Sequence, residues 1–132
     1  MSKYLDRIVW NSDGLLPVIV QDIFTNKVIM FARMNKETLK QYIHEIKAIY
    51  WSRSRKKVWV KGEESGNIQY IQEILLDCDG DTLIIKVKQE GGIACHTGRE
   101  SCFYNKIDME TDNLIEVEAV IKDPNEIYKD KK

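Results

Sequence analysis

Three cysteines and one of the chain's two histidines lie within a single stretch, residues 77–104 (DCDGDTLIIKVKQEGGIACHTGRESCFY). Cys95 and Cys102 flank a short HTGRES loop, so their sulfurs could reach one ion, and Cys78 is the natural third ligand. Three protein ligands with an open fourth position are typical of a catalytic zinc site. Such a zinc activates a water, and the neighbouring His96 is the candidate proton acceptor. The alternative is that these cysteines are small buried hydrophobic residues.

Three aspartates, Asp77, Asp79 and Asp81, alternate at the start of this stretch, between two segments that resemble strands. In an extended chain their side chains would point to one side, and Cys78 would point to the other. Clustered carboxylates favour a hard cation such as Mg²⁺, although a solvated acidic turn that caps a hairpin is the simpler alternative. An EF-hand is excluded, because the twelfth position of that loop is Lys88 instead of a glutamate.

The most basic run of the chain, residues 52–57 (SRSRKK), could recognise a phosphate group. It combines two hydroxyls with Arg53 and Arg55, and arginine binds phosphate oxygens through paired hydrogen bonds. Most charge runs are simply solvated turns, and this alternative stays open from the residues alone. The loop that follows, residues 62–67 (GEESGN), could close over a ligand or could be an ordinary connector.

The segments DCDGD and ACHTGRESCFY closely resemble the signature of the phosphoribosyl-AMP cyclohydrolase family of histidine biosynthesis, in its monofunctional form. GLLPVIVQD, MNKETL, YWSRSR and KGEESGN resemble it too, and the motifs run in order from about Gly14 to Tyr104. The resemblance implies a zinc-dependent enzyme that hydrolyses the adenine N1–C6 bond of phosphoribosyl-AMP, with Mg²⁺ as a second cofactor. It also implies a homodimer with shared zinc sites, in which Cys78 comes from one chain and Cys95 and Cys102 come from the other.

The resemblance further assigns roles to individual residues of this chain. His96 is the expected catalytic residue. The expected zinc ligands are Cys78, Cys95 and Cys102, and the expected magnesium ligands are Asp77, Asp79 and Asp81. The expected substrate-binding residues are Trp51, Ser52, Arg53, Ser54, Arg55, Lys61, Thr97 and Ser101.

Three other classes of protein compete with this interpretation. A zinc deaminase that attacks a purine requires H-x-E and P-C-x-x-C motifs, and the sequence has neither. A zinc-stabilised nucleotide- or RNA-binding module without catalysis would usually close its zinc with a fourth ligand, which the sequence does not clearly offer. A thiol redox sensor is disfavoured because there is no C-x-x-C pair.

Composition places the chain among single-domain globular proteins. Its 132 residues are 43% hydrophobic and 31% charged, which suits one domain with a proper core. The net charge of −1 gives no electrostatic case for binding nucleic acid or an anionic membrane. The first ten residues, MSKYLDRIVW, lack the apolar run of a signal peptide, and the odd cysteine count fits reduced thiols. A cytoplasmic location is therefore expected.

The elements predicted from the sequence form an α+β domain, a compact antiparallel strand-rich core with one main helix. Strands are predicted over residues 14–23, 27–33, 48–52, 58–61, 68–76, 82–89 and 101–107. The helix should begin after the N-cap Asn35. Its apolar face should comprise Leu39, Tyr42, Ile43 and Ile46. Residues 1–108 are expected to form the cyclohydrolase core domain, and residues 109–132 a C-terminal extension without an assigned role.

Overall fold

A four-stranded mixed sheet is the centre of the fold in the computed structural model, which describes residues 3–63 and 65–129. In chain order the elements are a 3₁₀ helix (Lys3–Arg7), β1 (Leu16–Asp22), β2 (Val28–Met34), α1 (Lys36–Glu45), β3 (Ile49–Ser52), β4 (Lys57–Val60), β5 (Gln69–Leu76), β6 (Leu83–Gln89), a second 3₁₀ turn (Glu90–Gly92), β7 (Asn105–Ile107), β8 (Leu114–Glu116) and α2 (Pro124–Lys129). The strand order is β2-β1-β6-β5, and β3–β4 and β7–β8 form two separate hairpins.

The centre of the sheet differs from the predicted antiparallel core. Strands β1 and β6 run parallel, with Val18 opposite Leu83, while β1–β2 and β5–β6 pair antiparallel. A parallel pair requires a long crossover connection, which here contains β2, α1, β3, β4 and β5. Strand patterning carries no information on direction, so the sequence could not reveal this pairing. The α+β class is confirmed, but the antiparallel description is wrong for the central pair.

The hydrophobic core includes alternate side chains of the two central strands, packed with residues of β2, α1 and β3. Val18, Val20, Ile85 and Val87 are fully buried, as the period of two in a strand requires. Full burial of such an aliphatic side chain contributes roughly 1.5–3 kcal/mol to folding. Pro17 lies near the beginning of β1, which agrees with a predicted strand start, but β1 is not the edge strand that was the other possibility.

Helix α1 begins where the sequence predicts. The Asn35 side chain accepts a hydrogen bond from the Thr38 backbone N–H (2.8 Å), and the Thr38 hydroxyl accepts one from the Asn35 N–H (2.8 Å). This reciprocal capping box satisfies two N–H groups at the helix start. Only part of the predicted apolar face is buried, since Ile43 is 40% and Ile46 is 57% exposed. Ile46 is a left-handed C-cap with φ 59°, so its side chain leaves the helix face.

The segment predicted to be the last core strand, residues 101–107, is mostly not a strand. Only Asn105–Ile107 is extended, and it pairs with β8 in an exposed hairpin outside the central sheet. The chain contacts the sheet at Cys102, whose N–H donates to Ile29 O (2.7 Å), and then turns away. The β7–β8 hairpin therefore pairs residues from both sides of residue 108, where the boundary between the core domain and the C-terminal extension was predicted. Neither α-helix of the described residues has the length and apolar character that crossing a bilayer would require.

Candidate active site

The cysteine turn, residues 94–102, folds tightly back on itself and brings two of the three cysteines together. Cys95 N–H donates to Arg99 O (3.1 Å), and Gly98 N–H donates to Cys95 O (3.0 Å). Gly98 adopts φ +86°, a left-handed conformation that glycine reaches at low energetic cost. Burial, reinforced by the adjacent Cys95 thiol, raises the pKa of Cys102 to about 12. A bound cation would therefore have to displace the proton from Cys102.

Hydroxyl groups and the backbone of β2 fix the ends of this turn. Ser101 is fully buried, and its hydroxyl donates to Val28 O (3.0 Å) and accepts from Phe103 N–H (2.9 Å). Thr97 donates its hydroxyl to the Cys95 sulfur (3.0 Å). Both residues were expected to bind substrate, which stays a prediction, and their hydroxyls also contact groups of the turn and the sheet. Their hydroxyls thus fix where the cysteine sulfurs lie.

Lys61, an expected substrate-binding residue, contacts the cysteine turn and also lines the cavity described below, so its substrate contact stays a prediction. Its side chain is buried, the ammonium donates to Ala94 O (2.5 Å), and it lies 5.9 Å from the centre of the Trp59 ring. Burial lowers the pKa of Lys61, while the sulfurs of Cys102 and Cys95, which can carry negative charge, act in the opposite direction. The Lys61 ammonium in turn acts to lower the pKa of Cys102, although burial outweighs it.

A cavity of about 780 Å³ opens between the cysteine turn and the β3–β4 hairpin. His96 and Cys102 line one side, while Ser52, Ser54 and Arg55 line the other. Its volume suits a small-molecule ligand. Two groups of residues singled out from distant parts of the sequence thus face one space.

A second cavity of about 240 Å³ adjoins the first, since Ser52 and Ser54 line both. Trp51, Arg53 and Arg33 contribute to its wall. Burial and then the positive charge of Arg53 lower the pKa of Arg33, so the two guanidiniums lie near each other. Neither has an ion-pair partner within residues 3–63 and 65–129. Sequence reasoning missed Arg33, because only the packing of β2 against β3 brings it here.

The aspartate turn, residues 77–81, connects β5 to β6 and is exposed. One carboxylate oxygen from each of Asp77, Asp79 and Asp81 lies within 4.8 Å of the others, so the predicted convergence is confirmed. The predicted reason is wrong, because these residues form a turn rather than an extended strand. Asp81 N–H donates to Asp77 Oδ1 (3.0 Å), and Gly80 N–H donates to Asp77 O (3.1 Å).

The carboxyl groups of the aspartate turn perturb one another. A hydrogen bond shared with Asp77, slight desolvation and the negative charges of Asp77 and Asp79 raise the pKa of Asp81. Slight desolvation acts to raise the pKa of Asp77, but hydrogen bonds from backbone N–H groups, that of Asp81 first, outweigh it and lower this pKa. A divalent cation would offset the negative charges that Asp77 and Asp79 place beside Asp81.

The third cysteine, Cys78, belongs to the aspartate turn and is exposed. Among the described residues, the aspartate triad is the one group of three potential ligands whose atoms lie within 4.8 Å of one another. A single chain therefore does not bring Cys78 to Cys95 and Cys102. The three thiols fit one zinc ion only if Cys78 comes from a second chain.

Comparison with known proteins agrees with these features. Residues 30–104 match the family model described as Phosphoribosyl-AMP cyclohydrolase. A protein named Phosphoribosyl-AMP cyclohydrolase from Burkholderia lata is 52% identical over 131 residues, which cover 98% of this chain and 95% of that protein. Proteins of the same name from Burkholderia vietnamiensis (52%) and Burkholderia multivorans (51%) match over the same shares of both chains.

Proposed function

The chain belongs to the phosphoribosyl-AMP cyclohydrolase family of enzymes, and we propose that it opens the adenine ring of phosphoribosyl-AMP in histidine biosynthesis. In this hydrolysis a water oxygen joins C6, the N1–C6 bond breaks, and N1 receives a proton. The observation that carries the proposal is the cavity in which His96 and Cys102 face Ser52, Ser54 and Arg55. A hydrolytic centre opposite an anion-binding wall suits a phosphorylated nucleotide.

The thiols of Cys95 and Cys102, with a Cys78 thiol from a second chain, are the groups that would hold a zinc ion. When bound, zinc supplies a water that is acidic enough to act as a nucleophile near neutral pH. Lys61 contributes a buried positive charge beside these thiols, which lowers the energetic cost of the thiolate form. Three thiolates on one zinc ion would leave a net negative charge, which the positive charge of Lys61 would partly offset.

His96 is the proposed proton carrier. It is exposed to the cavity and follows Cys95 directly in the chain, so its imidazole faces the space where the base would lie. An imidazole titrates near neutral pH and can both accept a proton from water and deliver one to N1.

The basic side chains around the two cavities are the proposed phosphate ligands, since the substrate carries two phosphate groups. Arg55 lines the larger cavity, and Arg33 and Arg53 line the smaller one. Ser52 and Ser54 lie between them and can donate to either phosphate. Two neighbouring guanidiniums without a described ion-pair partner are what an anion-binding site requires.

The aspartate turn is the proposed magnesium site. Its three carboxylates converge, oxygen ligands suit Mg²⁺, and a cation would offset the negative charges of Asp77 and Asp79 beside Asp81. The exposed position leaves room for a phosphate oxygen on the same ion. A need for a higher Mg²⁺ concentration in Asp79→Asn, with zinc content unchanged, would support this assignment, and unchanged dependence on Mg²⁺ would contradict it.

A homodimer with two shared zinc sites is the proposed assembly. Cys78 is exposed and distant from the other two cysteines, and a second copy can supply it. The β7–β8 hairpin also exposes large apolar side chains, including Ile107 (66%) and Leu114 (67%), which association would cover.

Mixing two inactive variants tests the shared site. Cys78→Ser and Cys95→Ser chains, allowed to exchange subunits, should regain about a quarter of the wild-type activity. Random exchange gives about half of the dimers one chain of each variant. In each such dimer one of the two sites contains no substituted cysteine. No recovery despite demonstrated subunit exchange would contradict a shared site.

The reaction itself is tested with purified protein and phosphoribosyl-AMP. Activity should disappear after treatment with a zinc chelator and return when zinc is added, with Mg²⁺ present throughout. An inactive protein that is loaded with zinc and supplied with Mg²⁺ would overturn the proposal. A zinc-stabilised nucleotide-binding module without catalysis would then be the better interpretation.

A further inference from the structure

We propose that the β8 segment, residues 114–122, holds the cysteine turn in its shape, with Arg99 as the positioning residue. The sequence gives this C-terminal region no role, and the proposed function does not use it. The inference rests on the proposed function in one respect, which is that the cysteine turn forms part of the active site. Its physical basis is a set of contacts between the outer side of the turn and the β8 segment.

The closest contact is between the two backbones, at Gly98. Its carbonyl oxygen accepts hydrogen bonds from Ile121 N–H (2.8 Å) and Lys122 N–H (3.4 Å). A Cβ atom at Gly98 would lie 1.9 Å from Lys122 O, so no larger residue fits without displacing the β8 segment. The segment therefore lies directly against the tip of the loop between Cys95 and Cys102.

Arg99 links the same loop to the β8 segment through its side chain, which is 12% exposed. Its Nε donates to Glu118 O (3.1 Å), and its Nη2 donates to the Glu116 carboxylate (2.9 Å). The guanidinium carbon lies 3.9 Å from the centre of the Tyr104 ring. Arginine can make all three contacts because its guanidinium is planar, carries several donors and stacks on aromatic rings.

Lys27, between β1 and β2, adds a third link. Its ammonium forms ion pairs with Glu100 (2.8 Å), in the cysteine turn, and with Glu118, in the β8 segment. The β8 segment is also anchored at Val117, whose N–H donates to Tyr104 O (2.8 Å). The turn is thus supported by Lys61 and β2 on one side and by the β8 segment on the other.

These contacts bear on the chemistry because they add to three backbone hydrogen bonds within the turn, between residues 94 and 100. Its internal backbone bonds include a long one, Ala94 N to Glu100 O (3.3 Å). The positions of the Cys95 and Cys102 sulfurs depend on this backbone. Groups that orient metal ligands from outside typically change metal affinity or activity by about 10–100-fold when they are removed. Arg99 acts through the turn and is therefore a positioning residue.

The test compares Arg99→Met with Arg99→Lys and with a control, Lys106→Met. Lys106 is an exposed cation on β7 that makes no side-chain hydrogen bond or ion pair with the residues that the structure describes. The first readout is the alkylation rate of Cys95 in metal-free protein, with the exposed Cys78 of the same molecule as the reference. Arg99→Met should make Cys95 react about tenfold faster, because the turn opens more often. The alkylation rate of Cys95 in Arg99→Lys should lie between those of wild type and Arg99→Met, and the rate in Lys106→Met should equal that of wild type.

The second readout is zinc affinity, measured by competition with a chromogenic chelator. Arg99→Met should weaken it by about 10–100-fold. An alkylation rate of Cys95 equal to that of wild type would overturn the positioning role, whatever the zinc result. Faster alkylation of Cys95 in Arg99→Met, together with no zinc binding by wild type, would support the positioning role and contradict the zinc site. If Arg99→Met does not fold, Glu116→Gln is tested instead, because it removes the charge of the exposed carboxylate that pairs with Arg99. Faster alkylation of Cys95 is again expected.

Discussion

The aspartate turn and the cysteine turn lie close together in the sequence, but the chain builds them in different ways. The aspartate turn closes an antiparallel hairpin, and its shape rests on hydrogen bonds within residues 77–81 together with one from a distant segment, Val9 N–H to Gly80 O (2.7 Å). The cysteine turn depends on partners that are distant in sequence, including Val28, Lys61 and Lys122. One turn is exposed and charged, and the other has a buried thiol at its centre.

This difference has a consequence for substitution. A change at Asp79, in the aspartate turn, alters local charge and removes no buried contact, because this carboxylate is exposed to water. A change around the cysteine turn also removes a buried contact, so it affects stability as well as chemistry. The four predictions that follow test this contrast.

The largest effect is expected from Cys95→Ser. Loss of a proposed zinc ligand should lower kcat/KM at least about a hundredfold and should reduce bound zinc. Asp79→Asn, the matched change in the aspartate turn, should retain its zinc and recover activity when Mg²⁺ is raised. Steady-state kinetics with elemental analysis measures both, and equal zinc loss in the two variants would abolish the distinction.

A smaller effect is expected from Lys61→Met. The substitution leaves Ala94 O buried without its charged donor, which should lower the free energy of unfolding by about 1–3 kcal/mol. Urea denaturation of metal-free protein measures this change. Lys57→Met, an exposed change on the same hairpin, is the control and should have little effect. Equal stability of both variants would mean that the cysteine turn does not need Lys61.

The aspartate turn should show a pH-dependent affinity for divalent cations. Because the folded pKa of Asp81 is raised, protonation begins above the ordinary value of 3.8 and removes a proposed ligand. The affinity for divalent cations should be highest at neutral pH and should fall as the pH falls through the pKa of Asp81. The raised pKa also means that ionised Asp81 opposes folding, and that this opposition fades in acid. Mn²⁺ titrations between about pH 4 and 7 measure the affinity. Asp81→Asn should remove the pH step, and an unchanged step would assign it to another group.

The smallest effect is expected from Lys27→Met. Its ion pairs with Glu100 and Glu118 are partly exposed, and such pairs contribute at most about 1 kcal/mol. The pKa of Lys27 is raised by these pairs, Glu100 first, so their contribution is complete below 10.5 and is lost only above that value. Thermal unfolding at low and high salt measures this, and salt should reduce the difference from wild type. A loss as large as that from Lys61→Met would show that exposed ion pairs dominate the support of the turn.

The sequence predicts well those features that depend on neighbouring residues. Asn35 as the helix start and the hairpins follow from local patterns, and the structure shows both. The convergence of the aspartates is also confirmed, but it arises from a turn and not from the extended strand that was predicted. Features that depend on chain direction or distant pairing were missed. The parallel β1–β6 pair, the place of Arg33 beside Arg53 and the buried position of Lys61 belong to this class. An isolated basic residue has no periodicity, so its partner cannot be inferred before the strands are arranged.

The parallel pairing of Val18 with Leu83 also sets an order of folding. The β5–β6 hairpin closes over a short loop, whereas β1 pairs with β6 across about half of the chain, and closing a long loop is slower. The cysteine turn must wait longer still, because its contacts extend to Lys122. We therefore expect a chain that emerges from the ribosome to complete its aspartate turn first and its thiol site last. A stalled nascent chain that ends before the β8 segment should leave Cys95 open to alkylation, and a chain that includes it should protect that thiol.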